Sequence, residues 1–196
     1  MNYSIFDVDG TILDSMEVWN TLASRYIQSL DRIPEKNLDK IVSEMSLEQS
    51  AIYLKKHYRI NKQEEVIISE VLNLISDFYK YEVKLMPGFK DFITHFDSMN
   101  VIGTSCDEEL VKSALKRLGV LDYFEDIMTC SKVNKGKDDP GFYLACADIL
   151  KQKPDNIFVF EDADYCIDAA RKVGFKVIKI KDWRDLNEEC INNCGK

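Results

Sequence analysis

A chain of 196 residues has room for one full hydrophobic core and a small appended unit, because single domains commonly run to about 100–150 residues. Its net charge of -8, with Lys and Glu interspersed, excludes broad contact with nucleic acid or an anionic membrane surface, and no apolar run approaches the roughly 20 residues that span a bilayer. Six cysteines (Cys106, Cys130, Cys146, Cys166, Cys190 and Cys194) lie scattered without a Cys-x-x-Cys pair, and no leader pattern precedes the first strand, so a reduced, cytoplasmic monomer is expected.

The first predicted element is a strand over Tyr3–Phe6, short and rich in β-branched and aromatic residues, as a buried central strand should be. A helical pattern follows. Trp19, Leu22, Ala23, Tyr26, Ile27 and Leu30 recur at three and four, and so do Ile67, Val71, Leu74, Ile75 and Phe78, with shorter periodic pieces over Leu38–Met45 and Leu47–Tyr58. About four helices therefore fall between residues 16 and 82, and Met86-Pro87-Gly88 closes this insert with a turn. Strand and helix then alternate: strand Val101–Thr104, helix Leu110–Leu118, strand Ile127–Thr129, helix Phe142–Leu150. The rhythm continues with strand Ile157–Phe160, helix Ile167–Val173, strand Val177–Ile180 and a last helix around Leu186–Ile191. Such alternation predicts an α/β fold, a doubly wound parallel sheet of five strands with helices on both faces.

The chemistry gathers where these strands end. Asp7-Val8-Asp9-Gly10-Thr11 follows the first strand and places two carboxylates two residues apart on its exit loop, where ligand sites of open α/β sheets lie. Gly10 lets the backbone turn tightly there. A calcium loop starting at Asp7 would need Gly and Glu where the chain has Ile12 and Val18, so that reading fails; a plain Asp-Gly turn is the alternative. Thr104 and Ser105 end the second strand, Lys137 lies between the third strand and its helix, and Glu161-Asp162 end the fourth. Each alone reads as a helix cap or a solvated charge. Together, four carboxylates exceed what Lys137 balances, which implies a divalent cation, and an all-oxygen donor set points to magnesium. Carboxylate, hydroxyl, lysine and magnesium together make a phosphoryl-transfer site. Cys190 and Cys194 share a helix face, but two thiols fall short of the four ligands of a structural zinc site.

This series, Asp7-Val8-Asp9-Gly10-Thr11, Thr104, Lys137 and Glu161-Asp162 in that order with a helical insert after the first motif, resembles the haloacid dehalogenase superfamily over nearly the whole chain. Asp14-Ser15, Pro87-Gly88, Arg117-Leu118-Gly119 and Ala169-Ala170 through Gly174 are similar to its phosphatase and β-phosphoglucomutase-like branch, which carries a small helical cap. The resemblance implies a core of residues 1–15 and 84–196 and a cap of residues 16–83. It implies that Asp7 is the nucleophile, Asp9 the acid and base, and that Thr104 and Lys137 handle the phosphoryl group. Magnesium would be held by Asp7, Asp162 and the backbone carbonyl of Asp9, with Glu161 as ligand or partner. The second aspartate, Asp9, favours phosphate esters over carbon–halogen bonds, so a small phosphorylated metabolite is the expected substrate.

Gly10, Ser105, Trp19, Ser46 and Lys80 are the expected substrate contacts, and Met45 and Tyr79 could also face the site. For Trp19 and Met45 a packed helix interface is the favoured alternative, since apolar residues at helical spacing usually lie in a core. Sugar phosphomutase activity is the alternative function. β-Phosphoglucomutases place an arginine just after a serine in the lid and a histidine early in the first lid helix, where this chain has Leu47 after Ser46, and Trp19. That leaves Lys80 as the sole contact for a second phosphate. A silent binding module is a further alternative, weakened because each motif keeps its charged residue. The chain departs from the family at Lys137-Asp138-Asp139-Pro140-Gly141 and Glu161-Asp162-Ala163-Asp164-Tyr165-Cys166, which leaves two expectations open: Asp138 weakens Lys137 or faces solvent, and acidic neighbours keep Cys166 unreactive.

Overall fold

A computed structural model of the chain describes residues 1–186 apart from Glu44. β1 (Asn2–Phe6) leads into α1 (Met16–Ser29), α2 (Leu38–Val42), α3 (Leu47–His57) and α4 (Glu64–Asp77), and a π-helical turn, Phe78–Glu82, ends this insert. There follow α5 (Phe89–His95), β2 (Ser98–Thr104), α6 (Glu108–Arg117), β3 (Asp126–Thr129), α7 (Cys130–Val133), α8 (Pro140–Leu150), β4 (Phe158–Glu161), α9 (Asp164–Lys172) and β5 (Lys176–Lys179). The five strands form one parallel sheet in the order β3-β2-β1-β4-β5. The last helix expected around Leu186–Ile191 falls, beyond Leu186, outside the described residues, as do Cys190 and Cys194.

Period-two alternation decides what each face of the sheet buries. Ile5, Val101 and Val159 point to a layer built from Phe142, Cys146 and Leu150 of α8 and Ala169 and Ala170 of α9. Phe6, Ile102, Phe160 and Ile178 point the other way, to a layer shared with α5, α6 and Trp183, and this layer runs on into the interior of the helical insert through Tyr26, Ile67 and Tyr79. Five aromatic rings meet there: Phe6 stacks on Phe160 at 4.5 Å between centroids, and Trp183 packs against Phe6, Phe89, Phe92 and Phe160.

Three elements differ from the sequence reading. β2 begins at Ser98 rather than Val101, because its polar end pairs with the first residues of β1, Asn2 opposite Ser98 and Ser4 opposite Asn100. That backbone pairing leaves no trace in an apolar pattern. α5 and the short α7 were not anticipated, the first too brief and aromatic to declare itself and the second held by the Thr129 side chain, which accepts from the backbone of Lys132.

Candidate active site

Strand register gathers the site. Phe6 is paired with Ile102 on one side and Phe160 on the other, so the residues just beyond, Asp7, Thr104 and Glu161, arrive together at the carboxyl edge of the sheet. The backbone N–H of Asp7 still donates to the Phe160 carbonyl at 3.0 Å. Strand order reverses across β1, and the crevice at such a switch point is where α/β sheets take ligands.

Beyond this edge Gly10 turns with φ +89°, a conformation suited to glycine, and a Cβ on it would stand 2.4 Å from an Asp162 carboxylate oxygen. Glycine is thus what lets Asp162 close on the β1 loop. Ligand oxygens of Asp7, Glu161 and Asp162 lie within 4.8 Å of one another. Lys137, 4 % exposed, reaches into this group and donates to Asp7 Oδ1 at 2.6 Å and to both Glu161 oxygens at 3.0 Å. The lysine is buried because its loop turns straight into α8, whose N-terminus is capped by the Asp139 side chain and begins with Pro140. Asp138 is exposed, so it faces solvent.

The charges do not balance. Burial opposes the Lys137 charge, but Asp7 and Glu161 outweigh it and hold the ammonium well above its ordinary range. Burial and the Asp7 charge push Glu161 up to about 8 and Asp162 up to about 6. Asp7 Oδ2 is buried with no hydrogen-bond partner. An orphaned carboxylate oxygen beside two strained carboxylates fits a bound cation, since such a group is costly to bury alone. Lys137 engages both oxygens of Glu161 but only Oδ1 of Asp7, so Asp7 Oδ2 and Asp162 are the more available oxygen donors.

Asp9, half-buried, has its carboxyl raised by burial despite two donors: Ser15 Oγ gives a hydrogen bond to Asp9 Oδ1 at 2.6 Å, and the Tyr79 hydroxyl gives another to the same oxygen. Thr104 is buried and its Oγ1 accepts from the backbone of Cys106 at 3.0 Å; Ser105 Oγ lies 3.4 Å from Cys130 Sγ. A cavity of about 360 Å³ opens over the cluster. Asp7, Asp9, Thr104, Ser105, Lys137, Glu161 and Asp162 form its floor, and Met16, Trp19, Met45, Leu54, Ile67 and Val71 form walls from the insert.

The other anticipated contacts lie elsewhere. Ser46 caps α3, accepting from the backbone N–H of Gln49 at 3.2 Å and donating to Glu48 at 2.8 Å, and Lys80 is exposed; neither borders the cavity. Gly10 shapes the loop rather than the wall. Trp19 borders the cavity and donates its indole N–H to the Tyr79 hydroxyl at 2.6 Å. Cys166 is buried and its thiol is held up chiefly by burial, with Lys137 opposing; the acids, expected to dominate, are secondary. The link from Tyr79 to Asp9 escaped the sequence reading. Its signal was a tyrosine at the end of the Ile67, Val71, Ile75 stripe, since a buried phenol requires a partner.

The family model described as haloacid dehalogenase-like hydrolase matches residues 4–180. The chain belongs to that family. Its relatives include proteins named as phosphatases and one named as a phosphomutase. It is 26% identical over 186 residues to fructose-1-phosphate phosphatase YqaB of Escherichia coli, covering 90% of this chain and 95% of that one. Over 190 residues it is 27% identical to β-phosphoglucomutase of Bacillus subtilis, covering 92% and 83%. Among solved structures, β-phosphoglucomutase of Clostridium difficile superposes with a TM-score of 0.82 at 18% identity, covering 100% of this chain and 97% of that one, which shows a shared fold. Among the described residues no helix is long and apolar enough to cross a membrane.

Proposed function

We propose that the chain is a magnesium-dependent phosphatase that hydrolyses a small phosphorylated sugar through an aspartyl phosphate on Asp7. The observation that carries this reading is the meeting of Asp7, Glu161, Asp162 and Lys137 under one cavity with Asp7 Oδ2 unpartnered. Asp7 and Asp162, with the Asp9 backbone carbonyl, would hold magnesium, which when bound supplies positive charge beside the transferring phosphoryl oxygens.

In the first step an Asp7 carboxylate oxygen bonds to phosphorus, the ester P–O bond breaks, and the departing alkoxide takes a proton from Asp9. Lys137 offsets the charge of the nucleophile and the transferring group, and Thr104 offers a hydroxyl at the same edge. In the second step water bonds to the same phosphorus and gives its proton to Asp9, while the P–O bond to Asp7 breaks and frees phosphate. The raised pKa of Asp9 suits a group that must carry a proton and then accept one. Walls from the insert keep bulk water from the acyl phosphate.

Hydrolysis is favoured over isomerisation by the cavity lining, in which Lys137 is the sole cation among the described residues. A mutase must hold a second phosphate, and Lys80 stands outside the cavity. A cytoplasmic setting accords with Cys106, Cys130, Cys146 and Cys166, which among the described residues are free and buried. The test is phosphate release from a panel of sugar phosphates with and without magnesium. Release that needs the metal supports the reading; conversion of glucose 1-phosphate to glucose 6-phosphate without phosphate release overturns it.

A further inference from the structure

Asp9 stands at both crossings between the sheet and the helical insert. On the way in, Ser15 precedes α1 and donates to Asp9 Oδ1, and four residues later Trp19 sits one turn into the helix. On the way out, the π-helical turn carries Tyr79, which is fully buried and donates its hydroxyl proton to the same Oδ1. The Trp19 indole N–H in turn donates to the Tyr79 oxygen at 2.6 Å, which fixes the phenol so that its own proton points at Asp9. From behind, Arg117 of α6 donates to the backbone carbonyls of Tyr79 at 3.3 Å and Val83 at 2.5 Å, and so ties the turn to the core. A π turn shifts the side chains that follow it relative to an α-helix, and such turns gather at functional sites.

We propose that Tyr79, oriented by Trp19, is a positioning residue that aims the Asp9 carboxyl at the reacting ester; the proposal deepens the phosphatase reading and rests on it. Both donors land on Oδ1, which assigns the exchangeable proton to Oδ2. In the first step that proton passes from Oδ2 to the leaving oxygen as the ester P–O bond breaks, and in the second Oδ2 takes a proton from the attacking water. Removing the phenol oxygen leaves Ser15 as the remaining donor on Oδ1 and loosens the hold on the carboxyl, so that proton transfer suffers only where a proton is needed.

The experiment compares wild type with Tyr79→Phe on phenyl phosphate and p-nitrophenyl phosphate, esters of similar size whose leaving groups differ in their need for a proton. The value of kcat/KM reports the first step alone. Tyr79→Phe should lose about 10-fold more on phenyl phosphate than on p-nitrophenyl phosphate, part of the roughly 100- to 10,000-fold that a positioned acid–base group supplies. Intact mass of acid-quenched protein during turnover should show more phosphorylated chain in the variant, because the second step slows. Trp19→Phe, which removes the indole N–H together with one ring of the side chain, should show the same preference for phenyl phosphate more weakly and decides the matter if Tyr79→Phe does not fold. Equal losses on the two esters, with no build-up of phosphorylated chain, would overturn the positioning role while leaving the phosphatase reading intact. No phosphate release by wild type from either ester would instead remove the phosphatase reading, and this role with it.

Discussion

Asp7 and Glu161 share the Lys137 ammonium group with Asp162 beside them, and the surplus negative charge of this cluster should set how stability responds to pH and to added metal. Glu161, raised from 4.5 to about 8, keeps a proton in the folded chain that the unfolded chain has already released. The folded state therefore binds more protons than the unfolded one between those values, and stability falls as pH rises through that window. Asp162, raised from 3.8 to about 6, adds to the fall over the lower part of it. Without divalent metal, the melting temperature should drop from pH 5 to pH 8, and Glu161→Gln should flatten the slope. Magnesium should raise the melting temperature more at pH 8 than at pH 5, since protons no longer compete for its ligands. A melting temperature that rises with pH across this range in metal-free protein would refute the charge assignment. Gly10 is tied to the same cluster by shape. Gly10→Ala would press a methyl carbon against the Asp162 carboxylate in a backbone conformation that alanine avoids. Magnesium affinity, read as the metal concentration for half-maximal phosphate release, should weaken by about 10- to 100-fold, the usual effect of disturbing a ligand's support. Unchanged metal dependence in this variant would contradict the placement of Asp162 as a ligand.

At the scale of elements, Trp183 fastens the end of the described chain to the exit loop of β1: its indole N–H donates to the Thr11 carbonyl at 2.7 Å while its ring fills the aromatic layer under β1. Trp183→Ala should lower unfolding free energy by about 3–5 kcal/mol, as large aromatic truncations in cores do, measured by urea denaturation. A loss below about 1 kcal/mol would mean that this layer does not depend on the ring, given the usual cost of such truncations. The sequence announced the strands through apolar runs ending in polar residues, and the insert through its three-and-four spacing. It did not announce α5, although Phe89, Phe92, Ile93 and Phe96 fall at helical spacing, because seven residues are too few for propensity to decide and packing on Phe6 and Phe160 supplies the order. The π-helical turn was equally hidden. Nothing in Phe78-Tyr79-Lys80-Tyr81-Glu82 marks the widened turn, which swings Tyr79 inward and leaves Lys80 exposed.

Across the whole molecule, four segments far apart in sequence (Asp7 and Asp9, Thr104, Lys137, Glu161 and Asp162) reach one point because parallel strands run their carboxyl ends to the same edge. Lys137 meets Asp7 across 130 positions of chain because the loop after β3 and α7 brings it back over that edge before α8. The acidic pair, the lysine and the strand-end hydroxyls were therefore legible from order and spacing, whereas the side of the insert that faces them was not. Ser46 and Ser15 illustrate the difference, two serines beside helices, one spent on capping α3 and the other aimed at Asp9. Which of the two points into the site depends on how the insert packs, and no local pattern records it. In the proposed reaction Asp7 itself carries the phosphoryl group. The most direct test of this role is to mix wild type and Asp7→Asn with p-nitrophenyl phosphate and magnesium, quench in acid, and weigh the intact chains. Wild type should gain one phosphoryl group, mapped to the peptide that contains Asp7, and Asp7→Asn should gain none and release no phosphate above background. Turnover by Asp7→Asn at the wild-type rate, or a phosphoryl group mapped to another residue, would contradict this role of Asp7.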